Sequence, residues 1–123
     1  MSKQPQRFPR AVFDQGSEPD ARFSLANERT FLAWIRTGLA LVALGVAIEA
    51  FAGPIADIPR RAAAAILVLA GAVAPLQAWF GWRRAEVALR LNKPLPNSPG
   101  GLIIVTAVVL SSVLVLFGLL TVA

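Results

Sequence analysis

The sequence predicts an all-α, polytopic membrane protein: three transmembrane helices with a short amphipathic pre-helix. Three observations carry that prediction. Of 123 residues, 56% are hydrophobic and 15% charged. The apolar residues gather into three runs, Phe31 to Phe51, Ala62 to Trp82 and Leu102 to Ala123. Each run holds about 20 residues, and a helix of that length covers roughly 30 Å, the hydrocarbon thickness of a bilayer. The charges, finally, flank the runs rather than alternate with them. A soluble bundle is the competing reading, but three helices hydrophobic all round would have no polar face to offer water.

Residues 1–19 mix Gln, Pro, Arg, Ser and acidic residues without period, which reads as a flexible cytoplasmic tail. Asp20 is the expected helix cap, its carboxylate accepting from first-turn N–H groups. Ala21 to Thr30 is helix-compatible and partly apolar. It either continues into the first span or lies along the membrane surface and bends near Ser24. A secretory signal competes for this region, because Ala50-Phe51-Ala52 resembles a small-x-small cleavage site. The polar leader of about 30 residues, the long apolar run and Arg36 within it all speak against a signal.

Gly53-Pro54, Asp57 and Pro59-Arg60-Arg61 make a short connection to the second span. Gly71, Ala74, Ala78 and Gly81 follow at spacings of three and four, a small-residue ridge that lets membrane helices approach closely; Gly38 and Gly45 do the same in the first span. Helical character persists through Arg83-Arg84-Ala85-Glu86-Val87-Ala88-Leu89-Arg90, with Glu86 and Arg90 spaced for a pair. The Pro- and Gly-rich stretch from Lys93 to Gly101 breaks it. The third span then runs to the last residue, so residues 20–123 read as one three-span domain and no carboxy-terminal domain is expected.

Orientation follows from the flanking cations. Lys3, Arg7, Arg10, Arg22 and Arg29 precede the first span, and Arg83, Arg84, Arg90 and Lys93 follow the second; only Arg60 and Arg61 lie on the other side. Nine against two predicts a cytoplasmic amino terminus and a periplasmic or extracellular carboxy terminus. Trp34, Trp79 and Trp82 fall at the same interface, as an aromatic belt would.

The net charge of +5 would also suit nucleic acid, but the placement of the cations beside apolar runs favours topology and anionic lipid. With no Cys and no His, thiol nucleophiles, imidazole bases and the common zinc ligands are missing together. No catalytic residue, metal or cofactor is therefore expected, and no enzyme. Compartment does not follow from the missing thiols.

Arg22, Arg29 and Arg36 stand seven residues apart, so each falls within about 20° of the last on one helix face. Ala40, Ala43, Ala47 and Ala50 continue that face outward. Arg36 lies inside the apolar run, where an arginine costs on the order of 3 kcal/mol at mid-bilayer and less if it snorkels to headgroups. Its alternatives are snorkelling, an anion held at a subunit axis, or an internal pair. By depth, Gln77 and Thr106 are its candidate polar partners. Ser111 and Ser112 are expected to bond their own backbone. Glu49 is expected to be solvated, or to form an outer pair with Arg60 or Arg61. Glu28 and Arg29 form either a local ion pair or, in an oligomer, part of a cationic ring.

Leu25-Ala26-Asn27-Glu28-Arg29-Thr30-Phe31-Leu32-Ala33-Trp34 resembles the signature of the YidH-like family of small bacterial inner-membrane proteins, a domain of unknown function. The same three-span unit is similar to the transmembrane domain of vacuolar transporter chaperone subunits. The resemblance covers roughly Asp20 onward, with Asn27 and Glu28 in its most specific part and Trp82-Arg83 a shorter match. It implies a homo-oligomer around a basic-lined polyphosphate conduit, with Arg22, Arg29 and Arg83 at the basic positions. Nothing in these residues corresponds to that complex's polymerase or phosphate-sensor domains, so polyphosphate synthesis is not implied. The expected function is thus an oligomeric bundle in the bacterial inner membrane, its anion contacts Arg22, Arg29, Arg36 and Arg83, its partners the lipid bilayer and phosphate or polyphosphate. The alternative is a non-conducting scaffold that recruits a partner.

Overall fold

A computed structural model describes residues 7–51, 53–97 and 99–122. The elements are α1 (Arg10–Phe13), α2 (Ala21–Ala50), α3 (Asp57–Arg90) and α4 (Gly100–Val122). The last three are each long and apolar enough to cross a membrane.

α2 begins where Asp20 accepts a hydrogen bond from the Arg22 backbone N–H at 2.9 Å. It then runs as one uninterrupted helix to Ala50, so the amphipathic first third continues directly into the span. Thirty residues at 1.5 Å each give about 45 Å, well beyond a bilayer core. α3 is longer still, at 34 residues. Both therefore project past the membrane at the same, basic end. α3 closes in a Schellman turn: Asn92 takes a left-handed φ of 55°, and the Lys93 N–H donates to the Ala88 carbonyl at 2.9 Å.

α3 lies between its two neighbours. No Cα of α2 comes within 8 Å of one in α4 among the described residues. Gly38 and Gly71 let α2 and α3 touch backbone to backbone: a Cβ on Gly38 would sit 2.9 Å from the Gly71 carbonyl oxygen, and one on Gly71 2.6 Å from that of Gly38. Pro75 sharpens this point. Having no N–H, it leaves the Gly71 carbonyl without its helical donor, and that is the oxygen facing Gly38. Gly45 repeats the approach against the Ala64 carbonyl, and Ala74 and Ala78 are buried on α3.

Gly81 departs from the expected ridge. A methyl there would meet nothing within 4 Å, because it borders a cavity of about 300 Å³ between α2, α3 and the connection to α4.

Leu41, Leu67, Ala70 and Ala107 form the core where all three helices meet. Ser111 donates to the Ala63 carbonyl of α3 at 3.4 Å, whereas Ser112 bonds its own helix at Val108, 2.7 Å away. The expectation of a local bond held for the second serine only, because Ser111 faces α3. At the far end Glu49 pairs with Arg60 (3.6 Å) and Arg61 (4.0 Å), and Arg60 also reaches Asp57 at 3.0 Å. The short turn after α2 brings these groups together, so Glu49 is paired rather than simply solvated.

Candidate functional site

Two features occupy the basic end: a buried polar junction between α2 and α3, and the cations arrayed around it. The junction arises from a heptad seam on α2: Ser24, Asn27, Phe31, Trp34, Gly38, Leu41, Gly45 and Ile48 recur at spacings of three and four. Its first two members lie beyond the apolar run and are polar. Ser24 donates to one oxygen of Glu86 at 2.7 Å, and the Asn27 amide donates to the other at 3.1 Å. The same amide nitrogen reaches the Trp82 carbonyl at 3.1 Å. Glu86 is only 3% exposed, so these donors replace the water it has lost.

Glu86 does not pair with Arg90, as their spacing suggested. The Arg90 side chain is 1% exposed and turns to the amino-terminal segment. It donates to the carbonyls of Phe13 (2.8 Å) and Gln15 (2.7 Å) and to the Glu18 carboxylate (3.1 Å). Glu18 also pairs with Arg7. Val12 is buried, Phe13 packs on Trp82, and Phe8 stacks on Trp79, itself stacked on Trp82. Arg7 lies 4.3 Å from the Phe13 ring centroid. Residues 7–18, expected as a mobile tail, are therefore folded back onto the end of α3. Residues 1–6 lie outside the described residues.

The arginine ladder points away from all of this. Arg29 lies about 170° around α2 from the Ser24/Asn27 seam, and Arg22 and Arg36 share its position one heptad to either side. All three are exposed. Arg22 is bound by Asp20 at 3.0 Å, and this side-chain bond, with the backbone N–H bond second, holds the Asp20 carboxyl below its ordinary pKa. Arg29 and Arg36 have no hydrogen-bond or ion-pair partner among the described residues.

Gln77, expected beside Arg36, instead lies against Trp34 and Gly100, where α3 meets α4. Thr106 is exposed on α4, whose Cα atoms stay more than 8 Å from those of α2 among the described residues. Glu28 is exposed and forms no pair with Arg29. Arg83 opens onto another groove, on α3, with Arg84 and Lys93.

Sorting the cations by partner separates two groups. Arg7, Arg10, Arg22, Arg60, Arg61 and Arg90 each meet a carboxylate. Arg29, Arg36, Arg83, Arg84 and Lys93 meet none among the described residues. Arg29 and Arg36 lie on the outer face of α2, Arg83 and Arg84 on α3, and Lys93 just past the end of α3.

Sequence reasoning missed the junction, the Arg90 clasp and Pro75. The seam was legible: its heptad runs parallel to the arginine heptad, two residues out of phase. The clasp had no comparable signal, since its acceptors are mostly backbone carbonyls some 75 residues away in sequence.

Three membrane-length helices, small-residue contact and one strongly basic end define a polytopic membrane protein rather than a soluble bundle. Residues 22–88 match the family model described as Domain of unknown function (DUF202), and the chain belongs to that family. It is 39% identical over 105 residues to inner membrane protein YidH of Escherichia coli (strain K12), covering 85% of this chain and 90% of that protein. It is 42% identical over 84 residues to the uncharacterized protein Rv2272 of Mycobacterium tuberculosis, covering 67% and 68%. No solved structure matches it.

Proposed function

We propose that this protein assembles as a homo-oligomer through the outer face of α2, and that Arg29 and Arg36 line an anion-binding path along its axis. One observation carries the reading. The stripe opposite the α3 seam holds two exposed arginines without partners and continues as exposed Ala40, Ala43 and Ala50. Intrachain packing accounts for little of it: of the stripe's alanines only Ala47 is partly buried. Alanines permit close helix approach, while an arginine turned to acyl chains costs on the order of 3 kcal/mol. Rings of arginine at successive levels, about 10 Å apart, suit phosphate or polyphosphate. Arg22 contributes less, because Asp20 offsets its charge. The amino terminus lies in the cytoplasm on the strength of the cation count.

The test is reconstitution into liposomes with phosphate or polyphosphate loaded inside. Efflux that Arg29→Ala and Arg36→Ala each reduce supports the path. No binding or flux, or flux indifferent to both variants, refutes it. The chain has no native cysteine, so Ala43→Cys separately reports whether α2 faces meet, by disulfide formation between copies. A non-conducting scaffold remains the second reading; the tail it would use for recruitment is docked at residues 7–18.

A further inference from the structure

The outer face of α3 is built differently from that of α2. Leu69, Val73, Leu76 and Phe80 recur at spacings of four, three and four, and all are exposed. They form a bulky apolar track on the side turned away from both α2 and α4. One turn beyond Phe80 the track meets Arg83 and Arg84, and the Schellman turn brings Lys93 to the same groove, of about 580 Å³. Val87 and Pro94 complete its apolar wall. No carboxylate lines it, and none pairs with its three cations among the described residues. Arg84 gives only its Nε–H, to the Phe80 carbonyl at 3.4 Å.

We propose that this face binds an anionic phospholipid, its phosphate on Arg83, Arg84 and Lys93 and its acyl chains along Phe80 and Leu76. The match is one of charge and position together. Three uncompensated cations stand where the apolar track ends, at the level of a lipid phosphate, and the track below offers branched and aromatic surface to acyl chains. A free phosphate would use the cations but not the track. The alanines of α2 suit a neighbouring helix, whereas the bulky residues of α3 suit lipid. The inference rests on the membrane placement given above and not on the anion path.

The experiment is native mass spectrometry and thermal unfolding of the purified protein in mild detergent. The added probes are phosphatidylglycerol, phosphatidylcholine, or inorganic phosphate at equal phosphate concentration. Retention of phosphatidylglycerol over phosphatidylcholine, with a matching rise in unfolding temperature, is expected. Arg83→Gln/Arg84→Gln/Lys93→Gln should weaken that retention about a hundredfold, at about fivefold per cation near an anionic surface. Arg61→Gln, at the opposite end of the span, should leave it unchanged, and Arg83→Lys/Arg84→Lys should retain most of it. Equal retention of the two lipids, displacement of bound phosphatidylglycerol by inorganic phosphate at equal phosphate concentration, or loss with Arg61→Gln would each overturn the assignment. Unfolding in phosphatidylcholine alone confirms that the triple variant folds.

Discussion

Changing glycine to alanine at two positions of α3, ten residues apart, should act in opposite directions. A methyl on residue 71 would lie 2.6 Å from the Gly38 carbonyl oxygen and 2.9 Å from the Val42 nitrogen, both backbone atoms of α2. Contact tighter than 3.4 Å is strained, so α2 must retreat by about 0.8 Å. A gap of that size forfeits roughly a quarter to a half of the dispersion energy of contacts flanking it, including those of Leu41. Overpacking of this kind costs about 1–3 kcal/mol, and removing a mid-helix glycine returns about 0.5–1 kcal/mol. The net for Gly71→Ala is a loss centred on about 1 kcal/mol and reaching about 2.5 kcal/mol. Gly81→Ala meets nothing within 4 Å, so only the gain of about 0.5–1 kcal/mol remains. Unfolding in mild detergent micelles titrated with sodium dodecyl sulfate, followed by the fluorescence of Trp34, Trp79 and Trp82, should bracket the parent protein between the two variants. If Gly71→Ala is as stable as Gly81→Ala, the helices do not meet at residue 71 and the seam described above is wrong.

Arg90→Leu removes three charge-assisted hydrogen bonds from the amino-terminal segment and should destabilise its docking by about 2 kcal/mol. Limited proteolysis within residues 7–19 should then accelerate about thirtyfold; Arg90→Lys should fall between, since an ammonium cannot span the three acceptors. Asn27→Leu leaves one oxygen of buried Glu86 without its donor and should cost about 1–3 kcal/mol in the same unfolding assay. Most of that should return in Ser24→Ala/Asn27→Leu/Glu86→Leu, where both donors and their acceptor are apolar. The folded-state pKa of Asp20 lies below its ordinary value. Its contribution is therefore complete above the unfolded pKa and lost as pH falls through the folded one. Amide protection of Phe23 and Ser24, corrected for intrinsic exchange, should drop as pH falls below about 4, and this dependence should vanish in Asp20→Asn.

How much of the site was legible in the sequence differs by residue. The exposure of the arginine ladder follows from period alone, because a seven-residue repeat stays on one helix side. That Asn27 and Glu86 would meet did not follow, although each stands at a regular position of its own helix. Pairing them needs the register of α2 against α3, which is set by Gly38 meeting Gly71 some 15 Å farther along α2.

The sequence by itself determined the class of this protein, the number of its spans, the cap at Asp20 and the breaker after Arg90. Each is a one-dimensional property: whether a stretch is apolar for about 20 residues, or begins with a side chain that can accept from the first turn. Only the tertiary structure decided which charges are compensated. Arg90, solvent-exposed by any linear reading, is buried under residues 13–18, while Arg29 and Arg83 stand without carboxylates among the described residues. A charge interacts through space over a few ångströms, so its partner depends on which helix faces come together, and no spacing along the chain encodes that contact.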